Sequence, residues 1–200
     1  ITDSGRDRAF SVYKGKQGKL MMEEFSGKEF PGCGESDPSS GKKEAEAAGD
    51  PVSSDVSNSG NYTIAEDGSI VIDVMVVWTP EVEAARGAAG AKALAEASIA
   101  ATNQAYLNSG VHQRVNLVYA GKVASAETTS QSDMLTKLRS TSDGFYDEVH
   151  GLRNQYGADL VAMLVVNGEY CGIGYMLANN AAYGFSISNH NCATSTNTFA

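Results

Sequence analysis

Ile70-Val71-Ile72-Asp73-Val74-Met75-Val76-Val77-Trp78 runs directly into Thr79-Pro80-Glu81. Nearly every side chain in the first stretch is apolar, and most are β-branched. A run without alternation reads as a strand covered on both faces, the central-strand pattern of an α/β sheet. Thr79-Pro80-Glu81 then reads as a helix start, with threonine as cap, proline at the first position and an acid in the first turn. The helix is expected to run from Pro80 to about Leu107. Val82, Ala85, Ala89, Ala93, Ala97, Ala101 and Ala105 fall close to one face, which lets it sit near a sheet. Gly87 and Gly90 weaken its middle and mark the place for a bend. Asn108-Ser109-Gly110 ends it.

Downstream, Val115–Tyr119 alternates as a second strand, Gln131–Arg139 is a short helix, and Phe145–Tyr156 is another, closed by Gly157. Asp159–Val166 is a third strand of the doubly covered kind, and 170–176 and 183–188 are two shorter ones. The order β-α-β-α-α-β-β-β contains no internal repeat. It predicts an α/β (α+β) fold: a mixed, mostly parallel twisted sheet with helices packed on it.

Upstream the chain changes character. Ala9–Tyr13 and Lys19–Met22 flank Gly15-Lys16-Gln17-Gly18, a β-hairpin pattern too small to be stable alone. Pro31-Gly32-Cys33-Gly34 follows. From 35 to 62 the chain is dominated by Ser, Gly, Asp, Lys and Glu, a composition that cannot offset its ordering entropy and so predicts a flexible linker. Three segments result: 1–34, a linker at 35–62, and a main domain at 63–200.

Acidic residues number 24 against 15 basic ones, a net charge of −9, and a surface of that sign repels phosphate and argues against nucleic-acid binding. No run of about 18 apolar residues exists, so no membrane span is predicted. No signal segment is present, although one upstream of Ile1 would not be seen. Three cysteines, Cys33, Cys171 and Cys192, suit a secreted protein with one disulfide and one special thiol. Three reduced thiols in a cytosolic protein is the competing reading.

Motifs that carry chemistry are scarce. His112, His150 and His190 are not paired at helical spacing and no His-Glu-x-x-His occurs, so each reads as structural or solvated rather than as a zinc ligand. No nucleophile elbow is present; Ser186 and Ser188 are close to His190 in sequence alone. Thr79-Pro80 stands where a phosphate-binding glycine loop would be, and proline offers no amide there.

Five pieces taken in order carry a family resemblance. They are Val74–Pro80, Ala105-Tyr106-Leu107-Asn108-Ser109-Gly110-Val111, Gly157-Ala158-Asp159-Leu160-Val161, Cys171-Gly172-Ile173-Gly174-Tyr175, and the terminal Asn197-Thr198-Phe199-Ala200 after Asn189–Thr196. Together they resemble the approach to the zinc-binding helix of the metzincin metallopeptidases, on the reprolysin and peptidyl-Asp metallopeptidase side of that clan. The motif that names the clan would begin just after Ala200. The resemblance therefore implies the N-terminal part of a zinc-dependent endopeptidase, with all catalytic side chains beyond Ala200, and a chain that by itself is inactive. It implies a Cys171–Cys192 bridge. It also implies that Gly172, Ile173, Gly174 and Tyr175 form the edge strand that receives a peptide or protein substrate, where the bland reading is an ordinary edge strand. Residues 1–34 become the end of a propeptide, a β-hairpin remnant acting as the protein's own inhibitor. Cys33 becomes its latency ligand to zinc; a free thiol or a different disulfide partner is the plainer reading. Secreted or periplasmic placement follows. Two readings from other classes stay open: a secreted, non-catalytic α/β peptide-binding module, and a cytosolic doubly wound domain for a small ligand.

Overall fold

The computed structural model describes residues 63–65, 68–175 and 180–194, with the backbone of the strands at 2–3, 8–14, 20–26 and 34–36. In chain order the N-terminal strands are β1 (Thr2–Asp3), β2 (Arg8–Lys14), β3 (Leu20–Ser26) and β4 (Gly34–Ser36). The main domain follows with β5 (Thr63–Ile64), β6 (Ile70–Trp78), α1 (Pro80–Arg86), α2 (Ala88–Asn108) and β7 (Gln113–Lys122). Then come α3 (Gln131–Arg139), α4 (Glu148–Tyr156), β8 (Leu160–Val165), β9 (Gly172–Tyr175) and β10 (Phe185–Asn189), with a single 3₁₀ turn at Ala181–Tyr183 before the last.

β6 is the centre, as its uninterrupted apolar run predicts. It pairs in parallel with β7 along its whole length and with β8 from Val74 to Trp78. β8 pairs in parallel with β10, and β10 pairs antiparallel with β9. β5 adds a short antiparallel pairing at the start of β6. The result is a mixed, mostly parallel sheet with helices packed on it, the fold class read from the sequence.

Alternation along β6 and β8 divides the core into two layers. Met75, Val77, Val161, Met163 and Val165 pack beneath α3 and α4, joined by Ile173 of β9 and by Phe185 and Ile187 of β10. Val74, Val76, Trp78 and Leu164 pack on the other face against Val82 of α1 and Ala91, Leu94, Ala95 and Ile99 of α2. Each fully buried side chain of this size contributes roughly 1.5–3 kcal/mol, so these two layers are what the sheet is built to enclose.

Two helix predictions need correction. The helix drawn from Pro80 to Leu107 is two helices. Gly87 has φ 75° and ψ 158°, donates its N–H to Glu83 O to end α1, and offers its carbonyl to Ala91 N at 2.9 Å to begin α2. That backbone region is open almost to glycine alone. The helix drawn from Phe145 begins only at Glu148. Tyr146 is buried with φ 57°, and its hydroxyl donates to Ala126 O at 2.9 Å, so the tertiary site for its ring sets a left-handed backbone just ahead of the helix. Gly157 closes α4 with φ 64°, as predicted.

The N-terminal hairpin is present, with β2 and β3 antiparallel from Arg8↔Ser26 to Lys14↔Leu20 and β1 added outside β2. β2 lies alongside α2. Of the linker predicted at 35–62, Glu35 and Ser36 are described, and with Gly34 they form β4. Cys33 lies outside the described residues.

Candidate functional site

β9 is the strand that the family resemblance marks as a candidate for substrate recognition, and its surroundings can be built residue by residue. On its inner side β10 pairs through Ser188↔Gly172, Ile187↔Ile173 and Ser186↔Gly174. Ile173 is buried in the layer beneath α3 and α4. Gly172 and Gly174 present no side chain to the opposite face. A Cβ on Gly174 would meet Ser186 Cβ at 3.6 Å, an ordinary contact, so nothing inside the fold demands glycine there. Tyr175 is half-buried; its hydroxyl donates to Leu135 O at 3.4 Å and accepts from Arg139 Nε at 3.2 Å. The outer side of β9 is not bare. β4 pairs with it in parallel, Gly34↔Ile173, Glu35↔Gly174 and Ser36↔Tyr175.

The turn that leads into β9 is held by three side chains that the sequence reading missed. Glu127 accepts from Val166 N at 2.6 Å, Asn167 N at 2.9 Å and the Thr79 hydroxyl at 2.7 Å. Gln131, fully buried, donates to Asn167 O and Tyr170 O and accepts from Tyr170 N. Asn189 donates to Val166 O and Asn167 O, both at 2.9 Å, and its side-chain oxygen accepts from Asn191 N. A turn with its carbonyls and amides claimed this way is a rigid entry to the strand.

Cys171 and Cys192 are disulfide-bonded, with 5.4 Å between Cα atoms, and both are buried. The bond joins the residue before β9 to the segment after β10. Cys171 O also accepts from Asn189 N at 2.8 Å, so the crosslink and a backbone bond hold the same two chains together.

The segment after β10 carries a buried pair of basic side chains. His190 and Arg86 are both buried. Arg86 Nε donates to His190 Nδ1 at 2.6 Å, and Nη2 donates to His190 O at 3.3 Å and to Asn191 Oδ1 at 2.7 Å. Burial first, and the adjacent guanidinium second, hold the imidazole well below its ordinary value, to about 4. His190 is therefore neutral at pH 7 and serves as an acceptor that fixes Arg86. No local signal announces this pair, because the two residues lie 104 positions apart.

Of the remaining histidines one is tied into the fold and one is exposed. His150 Nε2 donates to Ser140 O at 2.7 Å. His112 is exposed on the approach to β7, and its carbonyl accepts from Ile70 N. Among the described residues no three His, Cys, Asp or Glu side chains converge as a metal would require. The described residues thus do not fit a zinc ion. Nor is any helix among them long and apolar enough to cross a membrane.

Comparison with known proteins gives the following. No protein-family model matches the chain. The peptidyl-Asp metalloendopeptidase of Xanthomonas campestris pv. campestris is 33% identical over 149 residues, which is 73% of this chain and 36% of that protein. The protein of the same name from Stenotrophomonas maltophilia strain R551-3 is 33% identical over 129 residues, covering 64% of this chain and 31% of the relative. Among solved structures, a chain in a structure described as a chaperone–substrate complex superposes with a TM-score of 0.51 at 20% identity, over 64% of this chain and 23% of that one, a likeness of fold alone. The chain thus spans about a third of the length of the curated relatives it matches, and over that third it is similar to bacterial proteins named peptidyl-Asp metalloendopeptidase.

Proposed function

We propose that this chain is the propeptide end and the first part of the catalytic domain of a secreted, zinc-dependent endopeptidase of the metzincin kind, and that its own β4 occupies the strand meant for substrate. The observation that carries this reading is the parallel pairing of Gly34–Ser36 with Ile173–Tyr175. An edge strand offers a row of backbone N–H and C=O groups that an extended peptide can take without regard to its side chains. β4 uses that row, so a substrate strand and β4 exclude one another. Cys33 directly precedes β4, which suits a latency ligand carried to the metal by the same segment. Similarity to the named metalloendopeptidases over 73% of the chain supports the activity, and the 36% coverage of the relative leaves room for the zinc-binding helix in sequence after Ala200.

Within this reading the described residues have defined tasks. Gly172 and Gly174 let a peptide backbone come close; Ile173 and Tyr175 anchor the strand to the core. Glu127, Gln131 and Asn189 hold its entry, and the Cys171–Cys192 bridge ties it to the segment leading toward the metal helix. The disulfide fits an extracytoplasmic location. Zinc ligands, general base and cleavage preference all belong to residues after Ala200.

The test uses the parent gene. Its reading frame should continue past Ala200 into His-Glu-x-x-His, and the full protein should hydrolyse peptides in a chelator-sensitive way. Cys33→Ala combined with Glu35→Pro, which releases the metal and the β9 edge together, should be active before any propeptide is removed, whereas Cys33→Ala alone should stay inhibited by β4, and the 200-residue chain should be silent. A frame without paired histidines, or hydrolysis indifferent to chelation, overturns the proposal.

A further inference from the structure

A cavity of about 550 Å³ opens on the α3/α4 side of the sheet, between the C-terminal turn of α3, α4 and the 3₁₀ turn before β10. Arg139, Ser140, Asp143, His150, Arg153 and Phe185 are among its lining residues. Two of them are arginines, and they differ in how they are used. Arg153 is spent on the fold: its guanidinium donates to Ala158 O, Ala181 O and Asp159 O and lies over the Phe185 ring. Arg139 is not. Its Nε donates to the Tyr175 hydroxyl, and its guanidinium carbon lies 4.9 Å from the Tyr183 ring centre and 5.5 Å from that of Tyr175, two rings set edge to face. No acceptor among the described residues takes a hydrogen bond from its two terminal NH₂ groups, and no carboxylate there forms an ion pair with it.

An arginine set between two rings and bonded at Nε has already lost much of the rotamer freedom that makes surface ion pairs weak. Its free fork then matches a two-oxygen acceptor without further ordering. The surroundings narrow the choice of anion. Asp143 also lines the cavity, with Oδ1 accepting from Phe145 N at 2.9 Å, and the chain carries a net charge of −9. A dianionic phosphate meets that field at twice the cost of a singly charged group. His150 is tied through Nε2 to Ser140 O, and Phe185 closes the floor with an apolar surface.

We infer that this cavity is a binding site for a peptide carboxylate, gripped in bidentate fashion by the Arg139 guanidinium. A free C-terminus and an internal acidic side chain present the same group, and the experiment separates them. The inference stands on the cavity alone and does not depend on the peptidase reading.

The 200-residue chain, labelled at arginine side chains for NMR, is titrated with N-acetyl-diglycine and its amide, with acetyl-Gly-Glu-Gly-amide and its glutamine counterpart, and with inorganic phosphate. The Arg139 terminal resonances should shift saturably with the carboxylate of one pair and not with its neutral partner. Whichever pair saturates at lower concentration identifies the source. Arg139→Lys, which keeps the charge but loses the fork, should weaken binding about tenfold. Asp143→Asn, which can still accept from Phe145 N, should tighten it several-fold. Equal response to neutral probes, phosphate saturating before any carboxylate, or full affinity in Arg139→Lys overturns the site. Should Arg139→Lys fail to fold, Asp143→Asn decides alone: affinity that does not rise sinks the proposal.

Discussion

At the scale of single residues, the Arg86–His190 contact makes the sharpest claim about stability. The folded-state pKa of His190, about 4, lies below the ordinary 6.5. At pH 7 the folded ring is neutral and the unfolded one mostly so, and little is lost. As pH falls through 6.5 the unfolded chain binds a proton that the folded chain refuses, and stability declines until the folded ring also titrates near pH 4. The span corresponds to about 3 kcal/mol. Urea unfolding at pH 7, 5.5 and 4.5 should therefore show a decline that is shallower in His190→Gln, whose amide oxygen still accepts from Arg86. Parallel declines in the two proteins would remove His190 from the account. Tyr146 behaves in the opposite sense: burial, then the nearby Glu127 and Glu81 carboxylates, push its hydroxyl far up, so it stays protonated and keeps its bond to Ala126 O throughout.

Secondary-structure elements are decided at their ends. Gly87 terminates α1 and starts α2 with a backbone that other residues avoid, so Gly87→Ala should cost about 1–3 kcal/mol by thermal or urea unfolding. A cost near zero would mean that the break is imposed by packing. Gly174→Ala should behave differently, because a Cβ there has room and strand glycines are weakly destabilising to begin with. The Cys171–Cys192 bridge closes a separation of 21 residues between the start of β9 and the end of β10. Replacing both cysteines with serine should lower stability by about 3 kcal/mol through the freed loop of the unfolded chain. The loss should concentrate in β9 and β10 when followed by hydrogen exchange, leaving β6 and β7 protected.

For the molecule as a whole, the decisive arrangement is an N-terminal strand reaching across to the far edge of the main sheet. Glu35→Pro removes a backbone donor from β4. The β9 amides that face β4 should then exchange at least tenfold faster, while those of β8 and β10 hold their rates; unchanged β9 exchange would mean that β4 does not cover the edge in solution. How much of this was legible in advance differs by level. The unbroken apolar run at Ile70–Trp78, the Thr79-Pro80 cap and the glycine after α4 are local signals, written in side-chain shape and backbone freedom, and they by themselves determined a central strand, a following helix and the class of fold. The boundaries moved where a distant contact outweighed local preference, as at Tyr146, whose ring is drawn into the core. Arg86 facing His190, Glu127 and Gln131 clamping the turn before β9, Arg139 set against two tyrosines, and β4 beside β9 were decided by the tertiary structure alone. Each joins residues tens to more than a hundred positions apart, and no spacing rule in a single chain records which buried donor will meet which acceptor once the two layers close.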